Sequence, residues 1–149
     1  MFALNLPAFD YKIRHHEGKT QIFDPMRRKF VALTPEEWVR QHFVNYLIVE
    51  KGFPKGRMSN ECNINLNGLK RRCDTVLYDE FLKPLVIIEY KAPEITLSQL
   101  VFNQIADYNM VLKVKYLIVS NGLKHYCCQI DYEHQKIQYI ESIPDYKYL

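Results

Sequence analysis

The chain has 149 residues, 48% hydrophobic and 25% charged, proportions that exclude a disordered or fibrous protein and fit one globular domain able to bury a full core. A net charge of +3 is mildly basic and compatible with a polyanionic partner. There is no apolar run of ~18 residues, and MFALNLPAFD lacks the basic region and long apolar stretch of a signal peptide, so neither a membrane span nor secretion is expected and the expected compartment is the cytoplasm.

Residues 1–33 are the least regular part and are predicted to form an N-terminal arm, with short strands near 21–23 and 29–33 and a basic cluster at Arg27, Arg28 and Lys29. The domain proper is placed at 34–149. It opens on Thr34-Pro35-Glu36-Glu37, where a threonine cap, a proline at the first helical position and a glutamate three residues after the cap predict a helix over 35–50. Val39, Phe43, Tyr46 and Leu47 define its buried stripe, and Gly52 and Pro54 end it. From 58 to 66, Cys62, Ile64 and Leu66 alternate with polar residues, the period of a half-buried strand; Asn67-Gly68 then predicts a tight hairpin into a strand over 71–78, with Asp74, Val76 and Tyr78 on one face. A polar loop at 79–84 leads to the apolar run 85–88, a strand buried on both faces that continues through Glu89-Tyr90-Lys91 and stops at Pro93. A second helix is expected over 97–112, with Leu97, Val101, Ile105, Tyr108 and Leu112 on its stripe. A buried strand over 115–120 and a closing hairpin from 125–132 and 136–140 complete the chain. The order is αβββαβ plus a hairpin, a mixed α/β sheet with helices packed on it.

Several chemistries are absent. The four cysteines form no C-x-x-C pair and read as reduced thiols, with adjacent Cys127 and Cys128 on opposite strand faces; no P-loop or G-x-G-x-x-G occurs, so no nucleotide cofactor is expected. His125, Trp38 and the eleven tyrosines read as packing rather than as base-stacking platforms.

Glu89 and Lys91 are the anomaly, because charges seldom continue an apolar central strand. Two apart in a strand, they share a face. If Tyr78 faces Leu85 across the loop, Asp74 falls opposite Glu89, and cross-strand neighbours lie about 5 Å apart at Cβ. Two carboxylates that close repel unless a cation or proton lies between them, and magnesium characteristically takes one or two carboxylates plus waters and phosphate. A same-face Glu89–Lys91 ion pair, with Asp74 an ordinary acid near a turn, is the alternative that these residues leave open. Lys70, Arg71 and Arg72, with Lys51, Lys55 and Arg57, read either as phosphate contacts or as solvated basic turns.

Asp74, then Glu89-Tyr90-Lys91 on the next strand, then Gln104-Ile105-Ala106-Asp107-Tyr108 on the following helix resemble the PD-(D/E)xK nuclease pattern with the Q-x-x-x-Y motif of its RecB-like branch. The strings RRCDTVLYDE, PLVIIEYKAPEI, QIADYN and YLIVSNG are similar to the N-terminal nuclease domain of type I restriction enzyme R subunits (HsdR), over about residues 22–145. The resemblance implies a restriction-endonuclease-like fold and magnesium-dependent hydrolysis of DNA, with manganese as a substitute ion. It implies that Asp74, Glu89 and the Tyr90 carbonyl ligate the metal, that Lys91 is the catalytic lysine, and that Gln104 and Tyr108 orient the site or hold the nucleic acid backbone. Lys70, Arg71 and Arg72 are the other candidate nucleic-acid contacts. Glu37 resembles an extra acid that some relatives give to the metal; as a capping-box residue it has a structural reading as well. Cys73 stands where the motif name has proline. Expected partners are DNA and other restriction-modification subunits, with a homodimer left open. R subunits cut after an ATP-driven motor moves the DNA, and this sequence has no motor motif, so a DNA-binding or subunit-interaction module without independent cleavage is the alternative function.

Overall fold

The computed structural model describes residues 2–66, 68–110 and 112–149, with Leu66 and Tyr108 described through their backbone alone. Within the arm, three strands form where two were expected: β1 (Ile13–His16), β2 (Lys19–Asp24) and β3 (Lys29–Ala32) make an antiparallel sheet in the order β1-β2-β3. This sheet is fastened to the rest. Asp24, fully buried on β2, accepts from the Met26 backbone at 2.8 Å, from Arg27, and from Asn60 at 3.2 Å. Burial pushes the Asp24 carboxyl up, but the hydrogen bonds from Arg27, Asn60 and Met26 outweigh it and hold the group below the usual carboxylate range.

Helix α1 (Pro35–Lys51) starts and stops where its signals lie. The Glu37 backbone N–H donates to Thr34 Oγ1 at 3.1 Å, and Gly52 adopts a left-handed φ of 72° with its N–H on the Leu47 carbonyl. The reciprocal half of the capping box does not form, because the Thr34 N–H donates to the Ala32 carbonyl at 3.1 Å and the Glu37 carboxylate turns elsewhere. Val39, Phe43 and Leu47 are buried, while Tyr46 is partly buried at the margin.

A six-stranded sheet follows, ordered β4 (Met58–Leu66), β5 (Leu69–Tyr78), β6 (Pro84–Tyr90), β7 (Tyr116–Ser120), β8 (His125–Asp131) and β9 (Lys136–Ile140). Every neighbouring pair is antiparallel except β6–β7, which is parallel and bridged by helix α2 (Gln99–Met110), since a parallel pair needs a crossover. The C-terminal hairpin thus extends the sheet. Leu66 pairs with Leu69 around a turn in which Gly68 has φ 76°; the other turn residue, Asn67, lies outside the described residues.

Two details depart from the expected pattern. Tyr78 pairs with Pro84 rather than Leu85, because a bulge follows Leu77, while Asp79 Oδ1 gathers the loop by accepting from Phe81 and Lys83. The ladder behind it keeps the expected register, with Thr75 opposite Ile88 and Leu77 opposite Val86. In α2, which starts at Gln99 with Ser98 capping Val101, the buried side is Phe102 and Ala106 rather than Val101 and Ile105. Those two are half-buried: they pack at the margin of the same core and also line a cleft. The core is double: α1 covers Leu77, Val86, Ile88 and Cys127 on one face, and α2 covers Val76, Ile87, Leu117 and Cys128 on the other. Cys127 and Cys128 accordingly divide between the faces.

Candidate functional site

The site forms where β5 and β6 diverge beyond the Thr75–Ile88 pair. Here Asp74 turns its side chain across the gap and Oδ2 accepts the Tyr90 backbone N–H at 2.9 Å. Glu89 lies beside it. Burial first, then the Asp74 charge and a hydrogen bond shared with Asp74, push the Glu89 carboxyl up to about 8, against the opposing pull of Arg71 and Lys91. Glu89 Oε1 is buried and accepts no hydrogen bond among the described residues, with Arg71 Nη2 3.7 Å away. Lys91 follows directly, its backbone N–H on the Ser120 carbonyl at 2.9 Å, so the end of β6 is pinned to β7. The side chains of Asp74 and Glu89 are 31% and 15% exposed, so the pair is reachable by water while most of it is covered.

These residues line a cleft of about 750 Å³. One wall is α2, with Val101, exposed Gln104 and Ile105; the other is α1 and β3, with Glu37, Arg40, Val31 and Ala32. Beneath the α1 wall lies an ion network. Arg40, only 4% exposed, bonds Glu61, lies 3.5 Å from Glu37 and 3.9 Å from Asp74 Oδ1, and has its guanidinium 5.7 Å from the Tyr90 ring centroid. Burial opposes its charge, but Glu37 and Glu61 more than offset that, and the guanidinium is held more firmly protonated than usual. Glu37 is further engaged by Arg27 at 2.5 Å and Gln41 at 2.8 Å, and Arg72 Nε meets Glu61 at 2.6 Å. Glu61 reaches Arg40 from a left-handed backbone, φ 52°, within β4. A buried relay supports the floor: the Tyr90 hydroxyl donates to Thr75 Oγ1, Thr75 donates to Asn60 Oδ1, and Asn60 donates to Asp24.

The cleft therefore gathers Asp74, Glu89, Tyr90, Lys91, Gln104, Glu37, Arg71 and Arg72. Lys70 does not join them. It is exposed on β5 and borders a separate depression with Asn63 and Asn65. The side chain of Tyr108 lies outside the described residues. Among the described residues no group of three or more His, Cys, Asp or Glu is gathered as a metal-holding set, and Glu37 is taken up by Arg27, Arg40 and Gln41. The donor set that fits a hard cation is therefore the Asp74–Glu89 pair, two oxygen donors that repel each other without one, which is the number magnesium characteristically takes from protein. Arg40 and Glu61 escaped the sequence reading. The Glu37–Arg40 spacing of three on one helix face was the available signal.

The match to known proteins is of two kinds. The family model described as type I restriction enzyme R protein N terminus (HSDR_N) matches residues 35–144. The structure resembles a fragment named as an HsdR subunit of a type I restriction enzyme from Vibrio vulnificus, with a TM-score of 0.52 and 20% identity over 75% of this chain and 24% of that one. The chain thus spans about a quarter of that structure's length, and at this identity the likeness speaks for the fold. No curated protein matches the sequence. With the family model covering most of the sheet and both helices, the chain belongs to the type I restriction enzyme R protein N-terminus family.

Proposed function

We propose that this domain is a metal-dependent nuclease acting on DNA phosphodiester bonds, in the manner of the cutting domain of a type I restriction R subunit. The observation that carries the reading is the convergence of Asp74 and Glu89 in a water-reachable cleft beside Lys91, with Glu89 buried next to a second carboxylate. Magnesium, or manganese in its place, would be held by the two carboxylates and the Tyr90 carbonyl oxygen. When bound, the ion supplies Lewis-acid polarisation of the phosphate and acidification of water. Lys91 supplies a cation against the charge that develops on the attacked phosphate. Gln104 on the α2 wall holds the substrate backbone, and Arg40 keeps Asp74 turned toward the Tyr90 amide.

The test is cleavage of supercoiled plasmid by the purified chain with magnesium or manganese. Asp74→Ala, Glu89→Gln and Lys91→Ala are each expected to lower the rate by ~10²-fold or more. Plasmid left intact by the wild type at the level of Lys91→Ala, with either ion, overturns the reading. A second reading, a binding or subunit-contact module, is favoured by Arg71 and Arg40, which already supply positive charge to Glu89 and Asp74. It expects DNA binding without turnover and no calorimetric binding of manganese.

A further inference from the structure

The three-stranded sheet of the arm lies outside the family match, which begins at residue 35. Residues 1–33 hold six Lys and Arg against three Asp and Glu, so they carry a net +3, the entire net charge of the chain; the remainder holds fourteen of each. Strand register gathers this charge. Arg14 pairs with Gln21, His16 with Lys19, and Phe23 with Phe30, so Arg14, Lys19 and both rings share one face of the sheet. Lys12 joins them, its ammonium 5.9 Å from the Phe23 ring centroid. Arg14 lies 4.0 Å over Phe30 and donates to Gln21 at 2.7 Å. Lys12, Arg14 and Lys19 are all exposed.

The acids of the arm do not neutralise this face. Asp24 is buried with Arg27 and Asn60, Glu17 sits at the hairpin tip 3.6 Å from His16, and Asp10 precedes the sheet. On β3, Ala32 pairs with Gln21 and so shares the face of Arg14 and Phe30, and the same Ala32 lines the cleft together with Val31 and Arg27. Through Ala32 the basic face reaches the cleft wall. Lys12 and Arg14 lie over the two rings, so the rings fix cations in place rather than offering bare surfaces for base stacking. Such a face suits phosphates and is blind to sequence.

We infer that the Lys12–Arg14–Lys19 face of the N-terminal sheet is a docking surface for the phosphate backbone of duplex DNA, leading the duplex into the cleft. This deepens the nuclease reading and rests on it for the choice of DNA. Binding of a mixed-sequence 30-base-pair duplex to the full chain, followed by fluorescence anisotropy in EDTA across a salt series, tests it without any dependence on turnover. The triple variant Lys12→Gln/Arg14→Gln/Lys19→Gln should weaken binding at 50 mM salt at least about ten-fold and flatten the log–log salt slope by about 2 to 3, since each phosphate contact on duplex contributes about 0.9. The charge-matched control Lys124→Gln/Lys136→Gln/Lys147→Gln, exposed positions far along the chain, should leave both nearly unchanged. Equal losses in the two variants, an unchanged slope in the first, or displacement of the duplex by polyglutamate at equal charge concentration overturns the inference. A chain that binds in this manner yet leaves plasmid uncut with magnesium supports the docking face and removes the nuclease reading. A chain that cuts plasmid while its triple variant binds and cuts as the wild type overturns the docking face alone.

Discussion

Arg40 is the residue on which the charge balance of the cleft turns. Its guanidinium meets Glu61, Glu37 and the edge of Asp74 at once, from a position almost wholly out of water. Arg40→Met would leave three carboxylates without their shared cation, and a loss of about 3–5 kcal/mol in urea unfolding is expected. Arg40→Lys should recover only part of it, because one compact ammonium cannot span partners that a planar fork reaches together. Two acids titrate with opposite sign. Asp24 is held below its ordinary value, so its stabilisation is present above about pH 4 and is lost as the pH falls through the folded value. Glu89 is raised from 4.5 to about 8, so its stabilisation is present below 4.5 and is lost as the pH rises through 8. In metal-free buffer the melting temperature should therefore decline on both sides of a mildly acidic optimum. Asp24→Asn should flatten the acid limb and Glu89→Gln the alkaline limb; a Glu89→Gln curve that still declines above pH 7 as the wild type does would contradict the assignment.

At the scale of elements, α1 was legible because its signals are local: a threonine cap, Pro35, a heptad-like stripe and Gly52 each act within a turn or two. Helix α2 was legible in existence but only in part in orientation: Leu97 and Leu112 of the expected stripe are buried, while Val101 and Ile105 lie at the core's margin. Its apolar residues surround most of the helix, and Phe102 and Ala106 won the sheet because a large ring and a small neighbour fit against Leu117 and Val119. Val101 and Ile105 are left at the margin, between that core and the cleft. Phe102→Ala should cost about 3–5 kcal/mol and Val101→Ala about 1 kcal/mol or less in chemical unfolding. The reverse order would mean that the helix is rotated from the position described. Strand β5 shows a related limit. The Asn67-Gly68 signal and alternation set its pairing with β4, but the bulge after Leu77 answers to Asp79 gathering the loop, which no period-two pattern records.

For the whole molecule, the central strands β6 and β7 are covered on both faces, whereas β1 is exposed along its length and pairs on one side only. Native-state hydrogen exchange should rank them accordingly, with Val86–Ile88 and Leu117–Val119 amides opening only at the global unfolding free energy and β1 amides near zero. The arm should nonetheless melt with the domain by tryptophan fluorescence, because Trp38 Nε1 donates to the Phe2 carbonyl at 2.9 Å and Asp24 is tied to β4.

By itself the sequence determined what short-range physics can encode: the ends of α1, the alternating strands, the apolar run at 85–88, of which Val86, Ile87 and Ile88 are buried, and the charged residues placed at its end. From those followed the register of the ladder up to Thr75–Ile88; Asp74 and Glu89 lie just beyond its last pair, where Asp74 accepts the Tyr90 N–H. Only the tertiary structure decided which partners those charges would meet. Arg40 and Glu61 are 21 residues apart, and the Asp24–Asn60 tie spans 36, so their meeting depends on how α1, β2 and β4 pack and not on any spacing along the chain. Packing, too, turned Glu37 from its cap toward Arg27, and set the basic face of the arm beside the cleft, because burial of Asp24 and Ile22 fixes which side of that small sheet is left to the solvent.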